Sequence, residues 1–199
     1  LSFMDGDYDA ARKYFSKIAK HSEYYAHARY YLSYLSYADG DFEEAKRGFS
    51  ELATHDTYRV IIPYYLLQIE YRNANYDYVI EHGVELLDNA NSAVRDDLVR
   101  IIAESCFNKG DYAQTIRYIS DYPASKMGHQ ENYIKGYSLY HMARYNDAIA
   151  PLVKVWGPED ALTQNASYHL ADCYRRSGNK QLAADAFAQA SVEGYDATI

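Results

Sequence analysis

The chain has 199 residues, of which 48% are hydrophobic and 24% charged, and its formal net charge is −8. That composition is typical of a globular protein and excludes a disordered chain. An acidic surface repels phosphate backbones, so nucleic acid is disfavoured as a partner. No apolar run approaches the ~18 residues of a membrane-spanning helix, and we expect no direct membrane insertion. Tyrosine is unusually frequent, with 24 Tyr against 6 Phe and 1 Trp.

A six-residue signature recurs six times along the chain. Its clearest copies are Gly-Asp-Tyr-Asp-Ala-Ala at 6–11 and Gly-Asp-Phe-Glu-Glu-Ala at 40–45, and further copies begin at residues 74, 110, 143 and 178. The successive starts are therefore 34, 34, 36, 33 and 35 residues apart. Glycine allows the left-handed conformation that ends one helix, and the following Asp or Asn can cap the next helix. One copy alone could be an ordinary turn, but six in phase indicate a structural repeat.

The period and the apolar spacing resemble the tetratricopeptide repeat (TPR). The last repeat carries the resemblance best, at Leu170, Ala171, Tyr174, Gly178, Ala183, Phe187 and Ala190. Other repeats depart from the family pattern: Ser36, Glu70 and Leu139 stand where Tyr is usual, and Gly83 stands where an aromatic residue is usual. The short, Tyr-rich repeats are similar to those of large bacterial TPR proteins. The resemblance implies an all-α fold, a right-handed α-α superhelical solenoid of helix-turn-helix repeats.

Each repeat is expected to hold a first helix (A) and a second helix (B). The A helices are predicted near 24–38, 58–72, 92–108, 127–142 and 161–177, and the B helices near 8–20, 42–53, 76–88, 112–121, 146–155 and 180–192. Pro63 favours the first turn of its helix, which moves that start two or three residues later. Pro151 falls inside a B helix, where it could introduce a kink.

The domain prediction is a single TPR array over residues 1–199. It comprises a half repeat at 1–20 and repeats at about 24–53, 58–88, 92–121, 127–155 and 161–192. Residues 1–5 resemble the end of an A helix and residues 193–199 the start of another. Solenoid ends need polar caps, and neither end has one, so we expect the chain to be a fragment of a longer repeat protein.

In TPR proteins the A helices line the concave surface, so the resemblance implies a candidate binding groove. The candidate groove residues are Tyr30, Tyr34, Tyr37, Tyr64, Gln68, Tyr71, Arg72, Arg100, Tyr133, Tyr137, Tyr140, Tyr168 and Arg175. Tyr offers a flat apolar face and a hydroxyl at little entropic cost, which suits recognition of an extended peptide. Alternatively, the Tyr side chains merely fill the space between successive A helices. The sequence leaves both interpretations open.

The basic residues of this face could form a patch that binds a carboxylate. Arg72, Arg100, Arg175 and Arg176 would supply the guanidinium groups, opposed by Asp97, Glu104 and Asp172. A solvated face of mixed charge is the alternative. The basic clamp with which some TPR domains bind chaperone C-termini is not matched, because Tyr30 and Tyr34 occupy the relevant positions of the first full repeat.

No sequence motif indicates catalysis or a bound cofactor. The seven His show no metal-ligand spacing, and no phosphate loop, dinucleotide fingerprint or nucleophile elbow occurs. Cys106 and Cys173 lie two repeats apart and are predicted to be buried core residues rather than a disulfide. Glu70 stands at a repeat position that is usually apolar in the family. It could be an acid in the groove, it could mark a one-residue slip in the register, or its carboxylate could be hydrogen-bonded to a Tyr.

The function predicted from the sequence is a non-enzymatic scaffold with no metal or cofactor. It would bind an extended peptide or a partner protein of unknown identity in a Tyr-rich concave groove. The alternative is a structural module that self-associates, since an open-ended solenoid can stack on neighbouring repeats. The sequence does not distinguish a cytoplasmic from a periplasmic location.

Overall fold

The computed structural model describes residues 8–155 and 160–191. All regular structure in these ranges is α-helical, in eleven helices without a strand. The helices are α1 (Tyr8–Phe15), α2 (Tyr25–Ala38), α3 (Phe42–Glu51), α4 (Ile62–Arg72), α5 (Tyr76–Asp88), α6 (Ser92–Asn108), α7 (Tyr112–Ile119), α8 (His129–His141), α9 (Tyr145–Val153), α10 (Ala161–Arg176) and α11 (Lys180–Ala190).

Most helix ends lie within about two residues of the predicted A and B helices. The two largest differences are α1, which ends at Phe15, and α4, which begins at Ile62. Pro63 explains the second, because a proline in the first turn loses no intrahelical hydrogen bond. Pro151 is accommodated inside α9. The helical segments expected at residues 1–5 and 193–199 lie outside the described residues.

The turns between the A and B helices share one geometry. At their left-handed positions stand Gly40, Ala74, Gly110, Ala143 and Gly178, with φ of 83°, 57°, 76°, 58° and 79°. The residue after each of these donates its backbone N–H to the carbonyl five residues earlier, at 2.8 Å or 2.9 Å, which is the hydrogen bond of a Schellman motif. The Asp41 side chain then accepts from Glu44 N at 3.1 Å and caps the next helix. The signature is thus a helix stop followed by a helix start.

The chain divides into two compact units, residues 1–75 and 76–199. In the described part of the first unit, α2 packs on both α1 and α3, and α3 packs on α4. Its core is centred on Phe49, Ile62 and Ile69, all with no exposed surface. Helices α2 and α3 approach closely because position 48 is Gly: a Cβ there would lie 2.0 Å from Ser33 Oγ.

In the second unit, neighbouring helices from α5 to α11 pack on one another in chain order. Alternate helices also touch, as α6 does with α8 and α8 with α10. Helix α6 is buried from Leu98 to Cys106 except at Arg100, which is half-buried. The close contact of α8 with α9 depends on Gly136, where a Cβ would lie 2.6 Å from Leu152 Cγ.

Both cysteines are buried and unpaired, as predicted. Burial raises the pKa of each thiol to about 11, so both stay protonated at neutral pH. None of the described helices is long and apolar enough to cross a membrane.

Glu70 is buried and ion-paired within the first unit. Its carboxylate lies 2.5 Å from Lys46 Nζ and accepts a hydrogen bond of 2.9 Å from Asn75 Nδ2. Burial alone would raise its pKa, but these two hydrogen bonds outweigh that effect and lower it. The Glu70 carboxylate, which interrupts the apolar spacing of α4, is therefore satisfied by two polar partners within the unit, Lys46 and Asn75.

Candidate binding surfaces

The predicted groove tyrosines of the first unit interlock with other rings. Tyr30 stacks on Tyr58 at a centroid distance of 4.5 Å, and Tyr34 and Tyr37 meet the edge of Tyr65 at 6.0 Å and 5.6 Å. All three candidates are half-buried and pack against the core of the unit. Burial raises the pKa of Tyr30 and Tyr65, so their hydroxyl groups stay protonated. These rings contribute to packing in the free protein.

The remaining candidates of the first unit differ in accessibility. Gln68 is only 7% exposed, and its Nε2 donates to Tyr64 Oη at 2.9 Å. Tyr64 and Tyr71 are half-buried. Arg72 is exposed, with its guanidinium 5.3 Å from the centre of the Phe42 ring. Of these four side chains, Arg72 is the most available to a partner.

Arg100, in the second unit, is engaged within its own helix. Its guanidinium donates to Asp97 Oδ1 and Glu104 Oε1, each at 3.0 Å. Burial alone would lower the pKa of Arg100, but the hydrogen bonds and charges of these two acids raise it. The Arg100 guanidinium is therefore occupied by ion pairs within α6. Arg100 could bind the carboxylate of a partner, as predicted, only if these ion pairs were broken.

The densest group of candidate residues lies on α8 and α10. We define the α8–α10 aromatic face as Tyr137, Tyr140, His141, Tyr168 and His169. The His169 ring lies 4.9 Å from Tyr137, 4.6 Å from Tyr140 and 5.5 Å from Tyr168. Tyr137 also lies 4.3 Å from the His141 ring. The rings of two helices thus form one continuous aromatic surface.

Exposure varies across this face. Tyr168 is 38% exposed, His141 is exposed, and Tyr137 is half-buried, whereas His169 is 8% exposed. Tyr140 packs against the core, as does the neighbouring candidate Tyr133, whose Oη donates to Asn165 Oδ1 at 2.8 Å. The accessible part of the face therefore consists of the exposed His141 and Tyr168, with the half-buried Tyr137 beside them.

The two histidines of the face are kept neutral at physiological pH. Burial lowers the pKa of both His141 and His169. His169 Nδ1 lies 2.8 Å from the backbone oxygen of Asn165, and because a carbonyl only accepts, Nδ1 carries the proton. Its Nε2 is then a hydrogen-bond acceptor within the aromatic surface.

A network centred on Asp172 adjoins the face. Its carboxylate accepts from Arg175 Nε at 2.8 Å, Arg176 Nε at 2.6 Å and Tyr140 Oη at 2.8 Å. Burial alone would raise its pKa, but hydrogen bonds from Arg176, Arg175 and Tyr140 lower it to about 2. Two guanidinium groups thus share one carboxylate, which leaves the network with one net positive charge. The Arg175 side chain is 60% exposed.

Some aromatic residues of this surface were not predicted. Tyr112 stacks on His141 at 4.8 Å, and the Arg176 guanidinium lies 4.5 Å from the centre of the Tyr145 ring. Both tyrosines occupy the aromatic position of the repeat signature, at the start of a B helix. That recurrence is the sequence signal that could have identified them. His169 has no comparable signal. No group of three or more His, Cys, Asp or Glu within 8–155 and 160–191 is placed to hold a metal ion.

Comparison with known proteins finds tetratricopeptide repeats in two segments of the chain. Two family models, both described as tetratricopeptide repeat, match residues 2–57 and 165–191. No curated protein matches the chain. Several solved structures do, all at low sequence identity.

The solved structure of MamA MSR-1 C2 is 13% identical and has a TM-score of 0.67, covering 84% of this chain and 95% of that one. YrrB, described as a TPR protein with an unusual peptide-binding site, is 13% identical and has a TM-score of 0.69, with coverage of 88% and 90%. A putative kinesin light chain with TPR-like repeats, from "Podosopora anserina", is 13% identical and has a TM-score of 0.55, with coverage of 85% and 95%. The resemblance to TPR proteins and the all-α class of helix-turn-helix repeats are confirmed.

Proposed function

We propose that this chain, which is built from tetratricopeptide repeats, is a non-catalytic scaffold that binds an extended segment of a partner protein on the α8–α10 aromatic face. The TPR fold supports a role in protein–protein interaction at the level of the whole chain. The observation that favours this particular surface is the accessible aromatic group Tyr137, His141 and Tyr168, which lies beside an excess guanidinium charge.

The chemistry of the face suits an extended peptide. Exposed aromatic rings bury apolar side chains at little entropic cost, because each ring has only two side-chain torsions. The rings of Tyr137 and Tyr168 are already positioned by His169, so little ordering is required on binding.

The charge beside the face favours a partner with an acidic residue near an apolar one. Arg175 and Arg176 share Asp172, so an incoming carboxylate can bind a guanidinium without displacing that ion pair. Arg100 lacks this excess, because Asp97 and Glu104 both bind it. We therefore propose that the carboxylate contact lies at the end of α10.

The test begins with peptides selected from a random library on the whole chain, whose affinities are then measured by fluorescence anisotropy. We expect Tyr168→Ala and Tyr137→Ala each to weaken binding at least about tenfold, as for residues central to an interface. Arg175→Ala should weaken acidic peptides more than their amide analogues. Tyr24→Ala, which changes an exposed tyrosine just before α2, is the matched control. Equal affinity of the parent and the Tyr137→Ala/Tyr168→Ala double variant would refute the proposed surface.

A further inference from the structure

A basic segment with an exposed aromatic residue occurs at the start of the first unit. Residues 10–22 contain four Lys or Arg and no acidic residue, although the chain as a whole has a net charge of −8. Arg12 pairs with Asp39, but no ion pair within residues 8–155 and 160–191 involves Lys13 or Lys17. Both lysines are exposed, and Tyr14 between them is 63% exposed.

Among residues 8–155 and 160–191, α1 packs only on α2, so no described residue covers this outward surface. Lys17 follows the end of α1 by two residues, and its backbone N–H donates to the Tyr14 carbonyl at 3.2 Å. The chain therefore continues to turn through Lys17. We call Lys13, Tyr14 and Lys17 the α1 basic surface.

A surface of opposite charge lies on α5 in the second unit. Between Arg72 and Arg95 the chain contains four acidic residues and no Lys or Arg. These residues, Asp77, Glu81, Glu85 and Asp88, recur at helical spacing and are all exposed. Lys109 binds Asp77 at 3.0 Å, whereas Glu81 and Glu85 have no Lys or Arg partner among the described residues. Tyr78 lies next to this stripe, with its ring 4.1 Å from that of His82.

We propose that the α1 basic surface binds the acidic stripe of α5, represented by Glu81 and Glu85, in a second copy of the chain. The spacing is matched, because each side presents two like charges four residues apart beside a tyrosine. An anionic lipid surface would also attract the lysines, but it would repel the remainder of an acidic chain. Charge complementarity therefore selects another copy over a membrane.

The contact joins two different surfaces, so it is heterologous. After a single contact forms, one copy retains its free acidic stripe and the other retains its free α1 basic surface. Copies consequently add head to tail, which gives an open chain or a closed ring, the smallest ring being two copies with reciprocal contacts. Exposed ion pairs are weak and are screened by salt, so the assembly depends on protein concentration and on ionic strength.

The test is sedimentation velocity of the whole chain at about 10 to 500 µM, in about 20 mM and in about 500 mM NaCl. The Debye length is roughly 20 Å at the lower salt concentration and roughly 4 Å at the higher one. We expect the average mass to rise with concentration at low salt and to stay monomeric at high salt. Lys13→Glu/Lys17→Glu and Glu81→Lys/Glu85→Lys should each abolish the rise. The four changes combined should restore it, because both surfaces then exchange charge.

The matched controls, Lys180→Glu and Asp56→Lys, reverse exposed charges outside both surfaces. Both should leave the assembly unchanged. Circular dichroism verifies that every variant keeps its helical signal. A parent chain that stays monomeric throughout overturns the proposal. So does an assembly that either charge reversal leaves intact, or one that the combined variant fails to restore. None of the four changes touches the α8–α10 aromatic face, so peptide binding is tested independently.

Discussion

Replacement of Asp172 by Asn tests the network that supports the α8–α10 aromatic face. The pKa of Asp172 is about 2, against 3.8 for the free side chain. A tenfold change in proton affinity is worth about 1.4 kcal/mol, so the ionised carboxylate stabilises the folded state by roughly 2 kcal/mol at neutral pH. Asn keeps the size of the side chain but removes its charge. We therefore expect Asp172→Asn to lower the free energy of unfolding by roughly that amount.

The dependence on pH separates this effect from a loss of packing. A carboxylate whose pKa is lowered on folding contributes its full stability above the pKa of the unfolded chain, near 4, and loses it as the pH falls toward 2. In urea titrations, the difference between parent and Asp172→Asn should be about 2 kcal/mol at pH 7 and about half of that at pH 3.

Asp147→Asn is the control for Asp172→Asn, because Asp147 pairs with Arg144 where both side chains are about half exposed. Such a surface pair contributes less than about 1 kcal/mol. Two results would refute the electrostatic account of Asp172: a difference from the parent that does not change between pH 7 and pH 3, or an Asp172→Asn effect no larger than that of Asp147→Asn.

Two further predictions concern packing and protonation in the second unit. Gly136→Ala places a methyl group 2.6 Å from Leu152 Cγ and 3.2 Å from Leu152 N. We expect it to lower the free energy of unfolding by about 1–3 kcal/mol, measured by calorimetry. The control Gly128→Ala, whose methyl group meets only the end of a flexible Glu side chain, should lower it less. Because folding lowers the pKa of His169, its protonation favours unfolding, and stability should decline as the pH falls below about 6.5. His169→Gln should reduce that decline in thermal melts, and the exposed His21→Gln should not; equal slopes in all three proteins would contradict the assignment.

The repeat signature predicted the turns of the fold because each turn depends on local chemistry. Gly40 and Gly110 adopt positive φ, and Asp41 and Asp111 cap the following helices. Ala74 adopts the same backbone conformation without being glycine, which shows that the surrounding hydrogen bonds can impose the left-handed turn on a side chain that disfavours it. The division of the chain into a single array of repeats stays a prediction.

The candidate site was only partly predictable. Family spacing placed Tyr137, Tyr140 and Tyr168 on A helices, and the structure brings them into one surface. Spacing could not show that Tyr30 would stack on Tyr58, because ring contacts depend on side-chain torsions and on residues from loops. Whether these tyrosines also bind a partner is the question that the peptide experiment addresses.

The sequence by itself determined where most of the helices begin and end, since helix capping, left-handed turns and apolar periodicity involve residues within about five positions of one another. Only the tertiary structure decided which polar groups are already used by partners that are distant in the sequence. The ion pairs of Arg100 lie within one helix and could have been read from the spacing of Asp97 and Glu104. The bond from Tyr140 to Asp172 joins residues 32 positions apart, and its partners meet only when α8 and α10 pack together.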